Sequence, residues 1–181
     1  SHNLAEKCSL NHIELSSLIK EKSLHSGWDE EFECYILDED KVLRSRHLVS
    51  LTAISGVDEL EDIMSEGGNV MDFHSCDFFP ERWFDLVVVL RTDNSILYPR
   101  LETGAFSLAL EFYRILILIR GYSQKKISEN IECEIMQVLL DEAKESYKPE
   151  IVLELVSETV EQMAQNLDKL SEWVEHRVNN P

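Results

Sequence analysis

An apolar run without alternation constrains the fold of this chain more than any other feature. Residues 85–91 read DLVVVLR, and a shorter run, NVMDFH at residues 69–74, follows Gly67 and Gly68. A Val/Leu run of this kind predicts a strand covered on both faces, as strands are in parallel sheets. IVLELV at residues 151–156 predicts another buried strand. The chain is therefore expected to fold around a mostly parallel sheet.

Helical patterns alternate with these runs. Apolar residues recur every four positions from Ile127 to Ala143, which predicts one helix over residues 128–147. Thr159 and Gln162 have the spacing of a capping box ahead of a final helix. Its apolar stripe is Val160, Met163, Leu167, Leu170 and Val174. Further helical patterns occupy residues 1–10, 57–67 and 94–103, and residues 11–22 hold a short strand leading into a helix. Alternating strands and helices predict an α/β domain.

Two shorter segments also receive predictions. GWDEEFE at residues 27–33 is predicted to be a solvated acidic loop anchored by its two aromatic residues. ILDEDKV at residues 36–42 is predicted to start a helix, because carboxylates in a first turn favour the positive end of the helix dipole.

The charge balance narrows the class of partner. The chain has 35 acidic and 17 basic residues, a net charge of −18. This charge argues against direct nucleic-acid binding through a broad basic face. The negative charge favours a basic protein as the partner. The alternative is that the acidic residues only keep the protein soluble.

Composition also indicates the cellular setting. The chain has 181 residues, about the length of one domain, and it has neither a signal-peptide pattern nor a run of about 20 apolar residues. Its four cysteines include no C-x-x-C pair, so reduced intracellular thiols are expected. The apolar residues 104–119 are short for a membrane span, and a buried helix is favoured over membrane insertion.

The end of the run at residues 69–74 carries the chemistry. In parallel sheets, active sites form at the carboxyl ends of strands, where Asp72, His74 and Asp77 are expected to emerge. An acid there can hold the shell of a Mg²⁺ ion beside phosphates, and a nearby histidine can orient water or substrate. The alternative is a strand-end aspartate that caps a turn beside a core histidine.

The neighbouring residues resemble a known family. DFHSCDFFPERW at residues 72–83 resembles the signature of the adenylate kinase isoenzyme six family, small nuclear and cytoplasmic P-loop nucleotide kinases. The similarity continues in GWDEE at 27–31, ILDED at 36–40, VLRTD at 89–93, RGY at 120–122 and NIECEI at 130–135. The resemblance implies a single P-loop nucleotide-kinase-like domain over residues 1–181, a three-layer parallel sheet flanked by helices.

The resemblance also implies a function. Members transfer the terminal phosphoryl group of ATP to AMP with Mg²⁺, have an accompanying ATPase activity, and act in small ribosomal subunit maturation by handling a basic ribosomal protein. The implied location is the nucleus and cytoplasm, with no membrane and no direct nucleic-acid contact. The competing hypothesis is a non-catalytic acidic assembly protein that binds the same ribosomal protein.

Roles for individual residues follow from the same resemblance. Asp72 and His74 form the second nucleotide motif, with Asp72 reaching the metal through a Mg²⁺-bound water. Residues 14–37 correspond to the monophosphate-binding segment, in which Lys20 stands where the family usually has a basic residue. Arg82 corresponds to the arginine that contacts the monophosphate. The lid corresponds to residues 103–129. In it Arg120 is expected to act in catalysis by neutralising the charge of the transferring group. Lys125 and Lys126 lie in or beside the lid, and ordinary surface solvation is their alternative role.

Three departures from the family pattern stand out. The family's first strand and phosphate loop, G-x-x-x-x-G-K-[ST], are absent from these 181 residues, and residues 1–7 resemble the helix that follows that loop. The first, central strand is therefore expected to have been lost ahead of Ser1. Residues 43–56 and 104–119 interrupt family motifs, and the second interrupts the lid. We interpret both as translated intron or isoform-specific sequence, which sequencing of the spliced transcript would decide.

Overall fold

A computed structural model describes residues 1–30, 34–38, 58–77, 79–103 and 124–179. The chain divides into two compact units, Ser1–Asp85 with Leu167–Pro181, and Leu86–Asn166. Each unit contains a pair of parallel strands with flanking helices, so the predicted α/β class is confirmed.

The first unit begins with a helix, a strand and a second helix in quick succession. In chain order its elements are α1 (His2–Cys8), β1 (Asn11–Glu14), α2 (Leu15–Glu21), β2 (His25–Asp29), β3 (Cys34–Leu37), α3 (Asp58–Glu66) and β4 (Asn69–Asp72). Strands β1 and β4 run parallel, with Asn11 opposite Asn69 and Glu14 opposite Asp72. The predicted strand at the start of residues 69–74 and the strand and helix in residues 11–22 are confirmed.

The core of this unit lies between α2 and the loop after β4. Leu15, Ile19, Leu24 and Phe79 are buried, and Leu15 is completely inaccessible. Burying one leucine stabilises a fold by about 1.5–3 kcal/mol. The ring of Phe79 packs against Phe73, Trp83 and Phe84 with centroid distances of 6.1, 6.0 and 5.9 Å. The loop that follows β4 is thereby fixed to the core by its aromatic residues.

Two glycines and an asparagine join α3 to β4. Gly67 and Gly68 have φ angles of 73° and 70°, in the left-handed region that residues with a Cβ rarely adopt. The Asn69 side-chain amide donates to the carbonyl oxygens of Ile63 and Gly67 at 2.6 and 3.0 Å. These bonds satisfy carbonyls at the end of the helix, so the helix stop predicted at Gly67 is confirmed.

Gly67→Ala is expected to lower the free energy of unfolding by about 1–2 kcal/mol, because alanine is strained at a positive φ. The Cβ would meet no atom within 4 Å, so the loss comes from the backbone and not from a clash. Urea denaturation measures it. Gly27→Ala is the matched control, since Gly27 also has open space but no positive φ. Equal effects at the two positions would contradict the backbone explanation.

The second unit holds the other parallel pair. Its elements are β5 (Val87–Arg91), α4 (Asn94–Thr103), α5 (Gln124–Ile135), α6 (Val138–Ser146), β6 (Val152–Val156) and the start of α7 (Val160–Asn179). In the ladder Val87 lies opposite Val152 and Arg91 opposite Val156. Helix α6 contacts both strands. The strands predicted in residues 85–91 and 151–156 are therefore confirmed, although Leu90 is 57% exposed.

Arg91, the last residue of β5, connects this strand to α5, to β6 and to Gln137 between α5 and α6. Its Nε donates to Oε1 of Glu134 at 2.6 Å, and Nη1 donates to Glu154 at 3.2 Å and to the Gln137 side chain at 3.3 Å. Nη2 donates to the backbone carbonyl of Glu134 at 3.3 Å. The Arg91 and Glu134 side chains are only 18% and 16% exposed, so this ion pair is shielded from solvent.

The loop predicted at residues 27–33 is wrong where the structure describes it. His25–Asp29 is a strand that pairs antiparallel with Cys34–Leu37, with Trp28 opposite Tyr35. The rings of these two residues meet edge to face at 4.9 Å. Trp28 is 52% exposed and is not a core anchor. The helix predicted to start at Ile36 is also wrong, because Ile36 belongs to β3.

The single helix predicted over residues 128–147 is wrong in its continuity. Helix α5 begins earlier, at Gln124, and ends at Ile135, and α6 starts at Val138. Gln137 between them has a left-handed backbone with φ 57°. The four-residue apolar spacing continues across this break, yet Ile135 and Leu139 are 57% and 38% exposed. The spacing therefore does not reflect one continuous buried face.

The predicted capping box is confirmed at the start of α7. The Gln162 backbone N–H donates to Thr159 Oγ1 at 3.1 Å, and the Gln162 side chain accepts from the backbone of Thr159 at 3.2 Å. Val160 is 44% exposed, so its place in the predicted apolar stripe is wrong. The remaining members of the stripe, Met163, Leu167, Leu170 and Val174, are half-buried.

Both interrupting segments, residues 43–56 and 104–119, lie outside the described residues. None of the helices in the described part of the chain has the length and apolar character needed to cross a membrane.

Candidate functional site

Asp72 ends β4 and lies at the carboxyl edge of the parallel pair. Because β1 and β4 run in the same direction, Glu14 at the end of β1 lies opposite Asp72. The Asp72 side chain is 40% exposed, so its carboxylate is accessible while its backbone stays in the ladder. This is the strand-end position at which sites form in parallel sheets.

His12 is the imidazole that contacts Asp72. Its Nε2 lies 2.6 Å from Asp72 Oδ2 and 3.0 Å from Ser1 Oγ. Ser1 Oγ also donates to Asp72 Oδ2. Val70 and Asp72 project from the same face of β4, and His12 is the ladder partner of Val70. The register of the two strands therefore brings His12 diagonally to the carboxylate.

These neighbours keep Asp72 ionised. Partial burial raises the pKa of its carboxyl group, but hydrogen bonds from Ser1 and His12 and the charge of His12 outweigh that effect. The net result is a pKa below the ordinary aspartate value. A carboxylate with a lowered pKa remains a hydrogen-bond acceptor at neutral pH, as binding a metal-bound water requires.

The other polar residues of the loop face solvent. His74 is exposed, and its ring lies against Phe73 with a centroid distance of 4.1 Å. Asp77 is exposed and accepts a hydrogen bond from Ser75 Oγ at 2.8 Å. The core histidine considered as the alternative is therefore wrong for His74, which is exposed.

Arg82 lies in a short 3₁₀ turn, Glu81–Trp83, and pairs with Glu61 on α3. Its Nε and Nη2 donate to Oε1 of Glu61 at 3.3 and 2.9 Å, and Nη2 donates to Oε2 at 2.7 Å. The Trp83 indole N–H donates to the same Oε2 at 2.9 Å. One carboxylate thus holds two consecutive side chains of the turn.

The remaining predicted site residues are cations. Lys20 is exposed in the last turn of α2. Lys125 and Lys126 lie in the first turn of α5, where Lys125 is 4.0 Å from Glu129. Arg120 lies outside the described residues, as does most of the predicted lid. The roles assigned to these residues stay predictions.

Comparison with known proteins identifies the family. A family model described as "AAA domain" matches residues 1–105. The "Adenylate kinase isoenzyme 6 homolog" of Dictyostelium discoideum is 50% identical over 173 residues, which cover 96% of this chain and 82% of the relative. The protein of the same name in Caenorhabditis elegans is 44% identical, covering 93% of this chain and 78% of the relative. The one in Schizosaccharomyces pombe is 42% identical, covering 96% and 82%.

The chain belongs to the adenylate kinase isoenzyme 6 family. The resemblance inferred from the DFHSCDFFPERW segment is therefore confirmed, and the parallel strands agree with a P-loop kinase-like fold. Membership supports an adenylate kinase-like, nucleotide-binding role at the level of the family.

The residues around Asp72 fit a metal ion of the kind that accompanies the nucleotide in such a family. Among the described residues, no group of three or more His, Cys, Asp or Glu side chains is arranged to hold a metal ion. Mg²⁺ commonly keeps several waters and binds through one or two carboxylates together with substrate phosphates. Both contacts of Asp72 within the described part of the chain use Oδ2, which leaves Oδ1 for a metal-bound water.

Two residues of the site were not identified from the sequence. His12 reaches Asp72 through the register of two strands that are far apart in the chain, and no local pattern indicates which strands pair. Glu61 reaches Arg82 from an acidic amphipathic helix whose carboxylates look alike in the sequence.

Proposed function

We propose that this protein is an adenylate kinase that transfers the terminal phosphoryl group of ATP to AMP, giving two ADP. The bond between the terminal phosphorus and its bridging oxygen breaks, and a new bond joins that phosphorus to an oxygen of the AMP phosphate. The observation that carries the proposal is the ionised carboxylate of Asp72 at the end of β4, in a member of this family.

Each site residue has a distinct task in this reaction. Asp72 would hold a water bound to Mg²⁺, and His12 fixes the orientation of the carboxylate through Oδ2. His74, exposed in the same loop, orients water or substrate. Arg82 and Lys20 bind the phosphate of AMP, because their positive charges attract this negatively charged group. When bound, Mg²⁺ neutralises the charge that develops on the transferring group.

The lid residues are assigned by similarity alone. Arg120, with Lys125 and Lys126, stabilises the transferring phosphoryl group, since a planar guanidinium matches its oxygens. Positioning and charge neutralisation, rather than covalent chemistry, supply the acceleration in such enzymes.

Binding of the ATP phosphates requires a phosphate loop, and these 181 residues contain no G-x-x-x-x-G-K-[ST] sequence. A polypeptide of residues 1–181 is therefore expected to turn over at least about 100-fold more slowly than one with a family strand and phosphate loop fused ahead of Ser1. A coupled assay of ADP formation measures both. Equal turnover by the two polypeptides would show that this chain holds ATP by other means.

A second function is favoured by the net charge of −18. We propose that the protein binds a basic protein of the small ribosomal subunit and acts in its maturation, with ATP hydrolysis as an accompanying activity. An acidic surface attracts a basic partner and raises the rate of encounter, and salt weakens this attraction. In one version of this hypothesis the protein has no catalytic role and acts in assembly by binding alone.

The proposed location is the nucleus and cytoplasm, the compartments in which a protein that acts on ribosomal precursors is expected. Imaging of a fluorescent fusion tests it, and exclusion from the nucleus would contradict it.

A further inference from the structure

Glu61 makes a multidentate contact in the first unit that has no role in the proposed function. Its two carboxylate oxygens accept three hydrogen bonds from Arg82 at 2.7 to 3.3 Å and one from the Trp83 indole at 2.9 Å. The Glu61 side chain is 28% exposed and the Arg82 side chain 52% exposed. The carboxylate is thus the more enclosed partner, and the guanidinium is the more accessible one.

We infer that Glu61 is a positioning residue for the acceptor phosphate: it holds Arg82 by the Nε and Nη2 edge and presents the Nη1 side of the guanidinium to the phosphate of AMP. The inference rests on the proposed function, in which Arg82 contacts AMP. Among the described residues, none hydrogen-bonds Arg82 Nη1. A guanidinium has five N–H donors, so pairing along one edge leaves donors for an anion.

The arrangement around Glu61 supports positioning. An exposed arginine samples many rotamers, and ordering such a side chain on binding costs affinity. Trp83 fixes Glu61 through its indole N–H, and the Trp83 ring packs against buried Phe79 with a centroid distance of 6.0 Å. The carboxylate is therefore anchored to the core, and the guanidinium it holds is ordered before the ligand arrives.

The opposite hypothesis is that Glu61 sequesters Arg82 and competes with the phosphate. The two hypotheses predict opposite changes in AMP affinity when the charge of Glu61 is removed. Glu61→Gln is the decisive substitution, because the amide oxygen still accepts from Trp83 but no longer forms a charge-assisted pair with Arg82. Circular dichroism and a thermal transition establish that the variant is folded.

Isothermal titration of the 181-residue chain with AMP tests the inference. Glu61→Gln is expected to raise the Kd for AMP about tenfold, which corresponds to a weakened charge-assisted interaction. Glu66→Gln is the matched control, because Glu66 is an exposed glutamate at the end of the same helix. It is expected to change the Kd by no more than about twofold. An unchanged or lower Kd for Glu61→Gln overturns the inference.

A double-mutant cycle separates positioning from a general structural effect. Arg82→Lys keeps the positive charge but cannot form the bidentate pair. If Glu61 acts through Arg82, then Glu61→Gln adds no further loss of AMP affinity in the Arg82→Lys background, whereas a structural role gives additive losses. The cycle does not need Glu61→Gln to be as stable as the parent, only folded.

The controls distinguish this inference from the proposed function. If the unmodified chain shows no saturable AMP binding, the proposed function fails and the inference falls with it. If the chain binds AMP and Arg82→Lys weakens that binding while Glu61→Gln does not, the inference alone is wrong.

Discussion

Arg91→Met is expected to lower the free energy of unfolding by about 3 kcal/mol, because breaking a shielded ion pair leaves an uncompensated charge. Glu134 is only 16% exposed, and without Arg91 it would share the site with the carboxylate of Glu154. The backbone carbonyl of Glu134 would also lose a donor. Methionine keeps much of the aliphatic volume, so the loss reports on charge and hydrogen bonding. Urea denaturation measures it.

A matched substitution elsewhere provides the control. Arg177 forms an ion pair with Asp85 at 2.7 Å, but these side chains are 50% and 63% exposed. Arg177→Met is therefore expected to cost less than about 1 kcal/mol. Adding Glu134→Gln to Arg91→Met should recover part of the loss, since it removes the orphaned charge. Similar losses at Arg91 and Arg177 would show that burial does not distinguish the two pairs.

The elements that local patterns predicted correctly have strong, short-range causes. Helix α3 ends where Gly67 permits a left-handed residue, and α7 begins where Thr159 and Gln162 cap each other. The strands β4, β5 and β6 were predicted because short apolar runs bounded by glycine or polar residues are typical of buried strands. In each case the residues that determine the element lie within or next to it.

The incorrect predictions arose where distant residues decide the outcome. The acidic residues after Leu37 suggested a helix that starts at Ile36, but pairing with β2 makes Cys34–Leu37 a strand. The helix break at Gln137 comes directly after the end of α5. Arg91 hydrogen-bonds both the side chain and the backbone carbonyl of Glu134 at that helix end. Neither the strand pairing nor the position of Arg91 can be read from the segment itself.

The candidate site shows the same division. The position of Asp72 at a strand end and its charge followed from the apolar run that precedes it. The contacts of His12 and Glu61 could not be predicted from the sequence. The contact of His12 with Asp72 depends on strand register, and that of Glu61 with Arg82 depends on the packing of α3 beside a 3₁₀ turn. Sequence patterns thus located the carboxylate at the end of β4, and the structure identified the residues that contact it.

The double variant Asp72→Ala with His74→Ala is expected to lower adenylate kinase turnover by at least about 100-fold, because partners of a bound metal contribute roughly this much to activity. The measurement uses the polypeptide with the phosphate loop fused ahead of Ser1, in which turnover is expected to be measurable. Removing Asp72 takes away the carboxylate that we propose as the acceptor for a metal-bound water. Removing His74 takes away an exposed imidazole in the same loop.

Asp77→Ala is the matched control, since Asp77 is an exposed carboxylate of the same loop whose contact is with Ser75. Its turnover should stay close to that of the parent, and a comparable loss would mean that general loop charge, not Asp72, supports catalysis. The same variants discriminate between the two functions. If the double variant loses turnover and also fails in small-subunit maturation while still binding the basic ribosomal protein, phosphoryl transfer is the essential activity. If maturation continues without turnover, the acidic surface is what the ribosome precursor requires, and the nucleotide site serves another purpose.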